Sequence, residues 1–266
     1  MILPCLRWAG GKRWLVKYID QLLPQDGFRN YHEPFLGGAS MFLSIGVEHM
    51  AFLSDLNDEL IETYMAIRDV PYEIISILAN YRNEKEFYYK IRNKKYKTEA
   101  EKAARFIYLN QTSYNGIYRV NLKGEYNVPY GFRKKKVLDE QSILEVSRSL
   151  QDKHLETADF EVVRRNVRQG DLVFLDPPYT VSHNNNGFVK YNQKIFSLED
   201  QYRLRALIDY INEIGAYYIL TNAAHKTIVE IFSCDNRRFE LSRANLIGGT
   251  NAKRGQVSEY IFTNIR

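Results

Sequence analysis

Four residues, Asp176-Pro177-Pro178-Tyr179, carry the groups best suited to chemistry in this 266-residue chain. They follow Leu172-Val173-Phe174-Leu175, an apolar run that reads as a buried strand. Proline has no N–H and a fixed φ, so the two prolines are excluded from the strand and stiffen the loop just past its carboxyl end. Open α/β sheets bind their ligands at that end. A stiff loop there presents the Asp176 carboxylate and the Pro177 carbonyl as two acceptors, with Tyr179 offering a flat face. The set suits a planar ring bearing an exocyclic amino group, such as adenine N6 or cytosine N4. A plainer reading is a strand, a proline turn and a packed tyrosine. The motif alone does not separate the two, so the rest of the chain must.

A second constellation lies upstream. Phe35-Leu36-Gly37-Gly38-Ala39 sits where a short strand turns into a helix, and glycines there let the backbone approach a ligand closely. Asp55 ends the next strand, 20 residues beyond Phe35. At that spacing a carboxylate meets a pair of ribose hydroxyls in dinucleotide-binding folds. The glycines do not form GxGxxG, which argues against a pyrophosphate-binding NAD site. A nucleoside without phosphates, such as S-adenosylmethionine, fits better. Trp8 and Lys12, in the turn Arg7-Trp8-Ala9-Gly10-Gly11-Lys12, can add a ring and a cation. Their bland readings are a core tryptophan and a solvated lysine.

The elements needed to position these groups are legible along the chain. A helix is expected from Trp14 to about Leu23, ended by Pro24. Strands are expected at Tyr31–Phe35 and Met50–Ser54, with a helix from about Met41 between them, giving a βαβ start and a parallel sheet. From about Asn57 to Asp139 the chain reads as helical and charged, with Tyr/Arg/Lys-rich connectors, followed by a helix over Ile143–Leu150. The α/β pattern then returns. It comprises the strand to Leu175, a helix from Leu198 to about Ile214 capped by Ser197 and Asp200, and a strand over Ala216–Thr221. A helix near Lys226–Phe232 and strands at Arg237–Leu241 and Glu259–Thr263 complete it, with Ile247–Gln256 as a hairpin loop. The architecture expected is a doubly wound Rossmann-like sheet, residues 1–57 and 140–266, interrupted by a helical insertion over 58–139.

The net charge of +5 makes a polyanionic partner plausible, and 20 tyrosines and 14 phenylalanines interleave with lysine and arginine as base-stacking surfaces do. No stretch approaches the roughly 20 apolar residues of a membrane span. With two cysteines, Cys5 and Cys234, and no signal-peptide pattern, a cytoplasmic protein with reduced thiols is expected. The five histidines are scattered, so no metal site is expected.

Several segments together resemble the Dam-type, alpha-group adenine-N6 DNA methyltransferases. They are Leu6-Arg7-Trp8-Ala9-Gly10-Gly11-Lys12, Glu33-Pro34-Phe35-Leu36-Gly37-Gly38, Tyr114-Asn115-Gly116-Ile117-Tyr118-Arg119, Gly124–Gly131 and Asp176-Pro177-Pro178-Tyr179. The resemblance covers nearly the whole chain. It implies a methyltransferase sheet with an inserted target-recognition domain, and S-adenosylmethionine at a site lined by Trp8, Lys12, Phe35, Gly37, Asp55 and Asp176. It implies catalysis by Asp176, Pro177, Pro178 and Tyr179. It further implies contact of Arg7, Tyr114, Asn115, Ile117, Arg119, Pro129 and Arg133 with double-stranded DNA. Tyr114 would fill the gap left by the flipped base, Asn115 would meet the orphaned partner, and Ile117 and Arg119 would read base edges. The implied target is GATC. Arg7 stands where the family commonly has lysine, and Phe132 separates Gly131 from Arg133 where arginine usually follows directly.

A buried adenine must leave the duplex before its N6 can react, and its lone pair is conjugated into the ring. Acceptors at Asp176 and Pro177 favour a pyramidal nitrogen, with placement and electrostatics carrying most of the rate. Cytosine-N4 methylation could use the same acceptors, and a non-catalytic DNA-binding relative or an RNA methyltransferase would keep the fold. Pro4-Cys5 imitates the nucleophile of cytosine-C5 enzymes but stands in the wrong place for it. A monomer is the default, and pairing with a restriction endonuclease is compatible with the resemblance.

Overall fold

The computed structural model describes residues 2–132, 137–180, 196–232, 237–244 and 256–266. Seven strands form one sheet in the order β3-β2-β1-β4-β5-β7-β6. They are β1 (Tyr31–Glu33), β2 (Ala51–Asp55), β3 (His154–Thr157), β4 (Leu172–Leu175), β5 (Tyr217–Ala223), β6 (Arg237–Ala244) and β7 (Gln256–Thr263). β1 runs parallel to β2 and β4, and β4 parallel to β5. Their carboxyl ends therefore share one edge. β7 is antiparallel to both β5 and β6.

Ten helices stand among the described residues: α1 (Ile19–Leu22), α2 (Ser40–Ile45), α3 (Asp58–Asp69), α4 (Pro71–Ala79), α5 (Lys85–Asn93), α6 (Glu99–Thr112), α7 (Glu140–Leu150), α8 (Val163–Asn166), α9 (Leu198–Glu213) and α10 (Lys226–Phe232). The Ser197 cap forms as the sequence indicates: its hydroxyl accepts from Asp200 N–H, and the Asp200 carboxylate accepts from Ser197 N–H. Two expectations need correction. Trp14–Leu23 is not one helix but a 3₁₀ turn, Val16–Tyr18, followed by the single turn of α1. Neither piece has a side-chain cap, and so short a segment cannot repay helix nucleation by itself. The strand β3 was not foreseen, because only Leu155 of its four residues is buried and no alternation shows. The loop from Ile247 to Gly255, Cys234 and the run Arg133–Lys136 lie outside the described residues, and Gln256 begins β7.

The chain forms two compact units, Met1–Arg13 with Leu36–Glu48 and Asp55–Thr157, and Trp14–Phe35 with His49–Ser54 and Ala158–Arg266. In the first, α6 packs on α3, α4 and α5, and α7 packs on α3 and α4. A capping box at Thr98 and Glu101 starts α6, whose buried face carries Ala103, Ala104, Phe106, Ile107 and Leu109. In the second, Val173, Leu175, Tyr218 and Leu220 of the sheet pack with Leu204, Leu207 and Ile211 of α9 and with Ile228 and Phe232 of α10. At the amino end of β4, the fully buried Asp171 carboxylate accepts from four donors. These are Asn30 N–H at 3.1 Å, Asn30 Nδ2 at 2.9 Å, Arg168 N–H at 2.9 Å and His32 Nε2 at 3.0 Å. Phe52 stacks on the His32 ring at 4.8 Å. The knot ties β1 to β4 at the end of the sheet opposite Asp176.

Candidate functional site

The glycine turn after β1 is built around an indole. Gly37 has φ +46°, and a Cβ there would come within 2.7 Å of Trp8 Cδ1. At Gly38 a Cβ would lie 2.9 Å from Trp8 Cβ. Only glycine fits both the left-handed backbone and the ring against it. Gly37 N–H donates to Asp55 Oδ2 at 2.9 Å, Asn57 N–H donates to Oδ1 at 3.0 Å, and the Tyr64 hydroxyl donates to Gly37 C=O at 3.1 Å. Burial raises the Asp55 carboxyl above its ordinary value, against the opposing hydrogen bonds from the N–H groups of Gly37, Asn57 and Leu56. Lys12 is buried rather than solvated: its N–H donates to Ser40 Oγ at 3.2 Å and its Nζ to Gly10 C=O at 3.0 Å. We expect Gly37→Ala to cost about 1–3 kcal/mol through backbone strain and displacement of the indole. A urea denaturation midpoint equal to that of the parent would refute this account of the turn.

In the other unit, Asp176 directly follows β4. The pairing of Leu175 with Leu220 brings it level with Thr221, whose hydroxyl donates to Asp176 Oδ1 at 2.7 Å. Thr221 is fully buried, so the carboxylate is held from the interior while Asp176 remains half-exposed. The loop beyond is also tied down. Asn222 Nδ2 donates to Gln201 Oε1, Gln201 Nε2 donates to Thr180 Oγ1, and that hydroxyl donates to Phe196 C=O, each at 3.0 Å. Pro177 is buried, and Pro178 and Tyr179 are half-buried. Phe35 stacks on Phe160 at 5.5 Å and meets Phe196 edge-on at 5.7 Å.

The segment after α6 forms a third cluster, in the same unit as the glycine turn. Tyr114–Gly116 is a 3₁₀ turn in which Asn115 has φ 55°, and Tyr114 and Asn115 are both exposed. Tyr114 N–H donates to Pro129 C=O at 2.9 Å and Gly131 N–H to Thr112 C=O at 2.8 Å, which fixes the turn against the returning strand. Val120 and Tyr126 bridge across a hairpin. Its base is closed by Arg119 Nε donating to Asn127 Oδ1 at 2.7 Å and by the Tyr126 hydroxyl donating to Ile117 C=O at 2.8 Å. Arg119 and Pro129 are exposed, and Ile117 is half-buried. The expected contact Arg133 lies outside the described residues. Arg7 joins this cluster: Asn110 Oδ1 accepts from Arg7 N–H at 2.7 Å and Asn110 Nδ2 donates to Arg7 C=O at 2.6 Å. A Cβ on Gly116 would lie 2.8 Å from Arg7 Cζ.

The structure thus sets Trp8 against Gly37, Gly37 against Asp55, and Arg7 against the turn that carries Tyr114 and Asn115. It places Phe35 and Asp176–Tyr179 in the other unit. Sequence reasoning missed Thr221 and Asn110, and it read Tyr118 only as part of the DNA-contacting segment Tyr114–Arg119. Thr221 left one signal, a hydroxyl residue ending the apolar run of β5, whereas Asn110 is hidden inside an ordinary helical pattern. Tyr118 stacks on Trp8 with centroids 6.0 Å apart and planes 22° apart, and its hydroxyl donates to Glu59 Oε2 at 2.8 Å. Burial, then the Glu59 carboxylate, hold that phenol far above its ordinary value. Burial pushes the Cys5 thiol up to about 12, so Pro4-Cys5 offers no thiolate. Among the described residues no three of His, Cys, Asp and Glu gather as a metal would need, and no helix is long and apolar enough to cross a membrane.

Comparison with known proteins identifies the family. Residues 8–244 match the D12 class N6 adenine-specific DNA methyltransferases. The chain is 33% identical to the type II methyltransferase M1.LlaDCHI of Lactococcus lactis subsp. cremoris, over 98% of this chain and 95% of that protein. It is 35% identical to the type II methyltransferase M.MjaIII of Methanocaldococcus jannaschii, over 83% and 84%. It is 29% identical to the DNA adenine methylase of Escherichia coli K12, over 84% and 81%. With a carboxylate fixed at the end of β4 and these relatives spanning the sheet and the helical segment alike, the chain belongs to the D12 class of N6 adenine-specific DNA methyltransferases.

Proposed function

We propose that this adenine-N6 DNA methyltransferase takes its methyl group from S-adenosylmethionine and acts on double-stranded DNA at GATC, after the target adenine leaves the helix. The observation that carries the catalytic reading is the Asp176 carboxylate, fixed by Thr221 just past β4 and followed by two prolines. Asp176 and the Pro177 carbonyl accept the two N6 hydrogens, Pro178 keeps the loop stiff, and Tyr179 stacks on the base. Held by these two acceptors, the N6 lone pair would be free to take up the methyl group that bound S-adenosylmethionine would supply, and the nitrogen would then lose one proton to solvent. Pinning the acceptors beforehand removes reorganisation from the barrier.

The glycine turn suits the cofactor. A positive-φ glycine under an indole and a carboxylate with lone pairs to spare fit a nucleoside with free ribose hydroxyls. In this reading Asp55 accepts the ribose hydroxyls, and Trp8, Lys12, Phe35 and Gly37 line the remainder. S-Adenosylmethionine, when bound, supplies an activated methyl on a positively charged sulfur. Residues 58–139 serve as the target-recognition insertion. Arg7, Tyr114, Asn115, Ile117, Arg119 and Pro129 meet the duplex, with Tyr114 filling the vacated stack. The likeness of Tyr114–Arg119 to Dam-type enzymes supports GATC, and the name DNA adenine methylase on the E. coli relative supports adenine in DNA as the methylated base. The type II names of the other two support pairing with a restriction endonuclease.

The test is transfer of labelled methyl from S-adenosylmethionine to duplexes carrying GATC or single-base variants of it. We expect label in adenine of GATC alone. Label in another sequence would overturn the target while keeping the chemistry. Absence of label from all of them, and from genomic DNA lacking adenine methylation, would overturn the cofactor or the duplex substrate.

A further inference from the structure

We propose that Tyr118 is a positioning residue that couples the DNA-recognition segment to the cofactor turn, so that each ligand strengthens the binding of the other. The inference rests on the reading that the Gly37 turn holds S-adenosylmethionine.

Tyr118 stands between Ile117 and Arg119, the two residues assigned to base edges, yet its side chain faces the other way. Its ring stacks on Trp8, and Trp8 covers Gly37 and Gly38 closely enough that neither could carry a Cβ. Its hydroxyl donates to Glu59 in the first turn of α3. That helix starts at the cap Asn57, whose side chain accepts from Leu60 N–H and whose own N–H donates to Asp55. Asp55 in turn accepts from Gly37 N–H. The contacts therefore close a ring: Gly37, Trp8, Tyr118, Glu59, the short chain back to Asp55, and Gly37 again.

Two further features make the ring more than packing. Phe106 and Tyr126 also meet the Tyr118 ring, at 5.5 and 5.8 Å, which leaves it little freedom to move independently of the hairpin. A phenylalanine would fill the same space, so the hydroxyl bond to Glu59 is a specific tie to the Asp55 end of the site. Any shift of Ile117–Arg119 as it settles on a duplex must either carry the Trp8 stack with it or break the Glu59 bond. Ordering the turn around a cofactor restrains the same groups from the other side. Binding coupled in this way is reciprocal.

The test measures the affinity of S-adenosylhomocysteine, which binds without turnover, alone and with a saturating duplex that the wild type methylates. Trp8 and Trp14 are the two tryptophans of the chain, so a Trp14→Phe background leaves Trp8 as the emission reporter. In that background we expect the duplex to tighten product binding about tenfold and to change Trp8 emission. Tyr118→Leu should bring the ratio to near one, with each ligand's separate affinity largely kept. Tyr118→Phe should keep the Trp8 response while lowering the ratio. A merely structural role predicts the opposite pattern, both affinities falling together at an unchanged ratio, and that result would overturn the inference. So would a wild-type ratio of one. Should Tyr118→Leu fail to fold, Tyr118→Phe and Glu59→Ala, each of which removes the hydroxyl–carboxylate bond, decide, and an unchanged ratio in both counts against coupling. A wild type that methylates the duplex yet fails to bind the product would overturn the cofactor assignment of the turn itself, a failure separate from loss of coupling.

Discussion

Asp176→Ala lowers methyl transfer by about a thousandfold or more while leaving the protein folded and bound to DNA. Asp176 is only partly buried, at the end of β4 rather than within the sheet, and its carboxylate accepts from Thr221 Oγ1, so its removal opens no cavity in the core. In the proposed mechanism, what is lost is an acceptor fixed before the substrate arrives. Without it the N6 lone pair stays in the ring, and nothing draws the nitrogen toward the pyramidal form that attacks a methyl group. Asp176→Asn retains one acceptor oxygen and should keep more activity than alanine. Thr221→Val leaves the carboxylate in place but unheld, and should fall between the parent and Asp176→Ala. Single-turnover rates with saturating duplex check the series. Near-parental turnover in Asp176→Ala would remove the central residue from the mechanism.

Asp171→Ala should cost about 3–5 kcal/mol of stability at neutral pH. The substitution removes the partner of the fully buried His32 Nε2, of two backbone N–H groups and of the partly buried Asn30 amide. Burial alone would raise the Asp171 carboxyl. The hydrogen bonds from His32, Arg168 N–H and Asn30 N–H outweigh it and hold the group below its ordinary value. A depressed folded-state pKa contributes stability that is complete above the unfolded carboxylate value and is lost as pH falls through the folded one. The gap between parent and variant should therefore be constant from neutral pH down to about pH 4 and narrow below that. Guanidinium denaturation across that range measures it. A gap that widens on acidification would mean that another group governs the site. The knot lies at the amino end of the sheet, away from Asp176, so folded variant protein should retain its turnover number.

Much of this molecule is written locally. Strand ends, the Ser197 cap, the α10 span and the two carboxylates at the ends of β2 and β4 follow from apolar runs and from proline and glycine placement, which act over a few residues. Where local signals are weak the reading failed. The segment Trp14–Leu23 has hydrophobic residues but no cap, and β3 shows one buried residue to its neighbours' polar faces. Antiparallel insertion of β7 between β5 and β6 also leaves no trace in any single strand's pattern, because it depends on which partner each edge finds.

By itself, then, the sequence determined most of the elements, their order and the residue types at the strand ends, β3 and the Trp14–Leu23 segment apart, since backbone preference and hydrophobic period are properties of short stretches. The tertiary structure alone decided which side chains hold those residues in place. Thr221 reaches Asp176 through the register of two strands, and His32 reaches Asp171 across β1 and β4. Asn110 clasps Arg7 from 103 residues away, and Tyr118 finds Trp8 through the packing of a hairpin on a helix. Such pairings depend on the sum of many contacts distant in sequence, and no local pattern of residues encodes them.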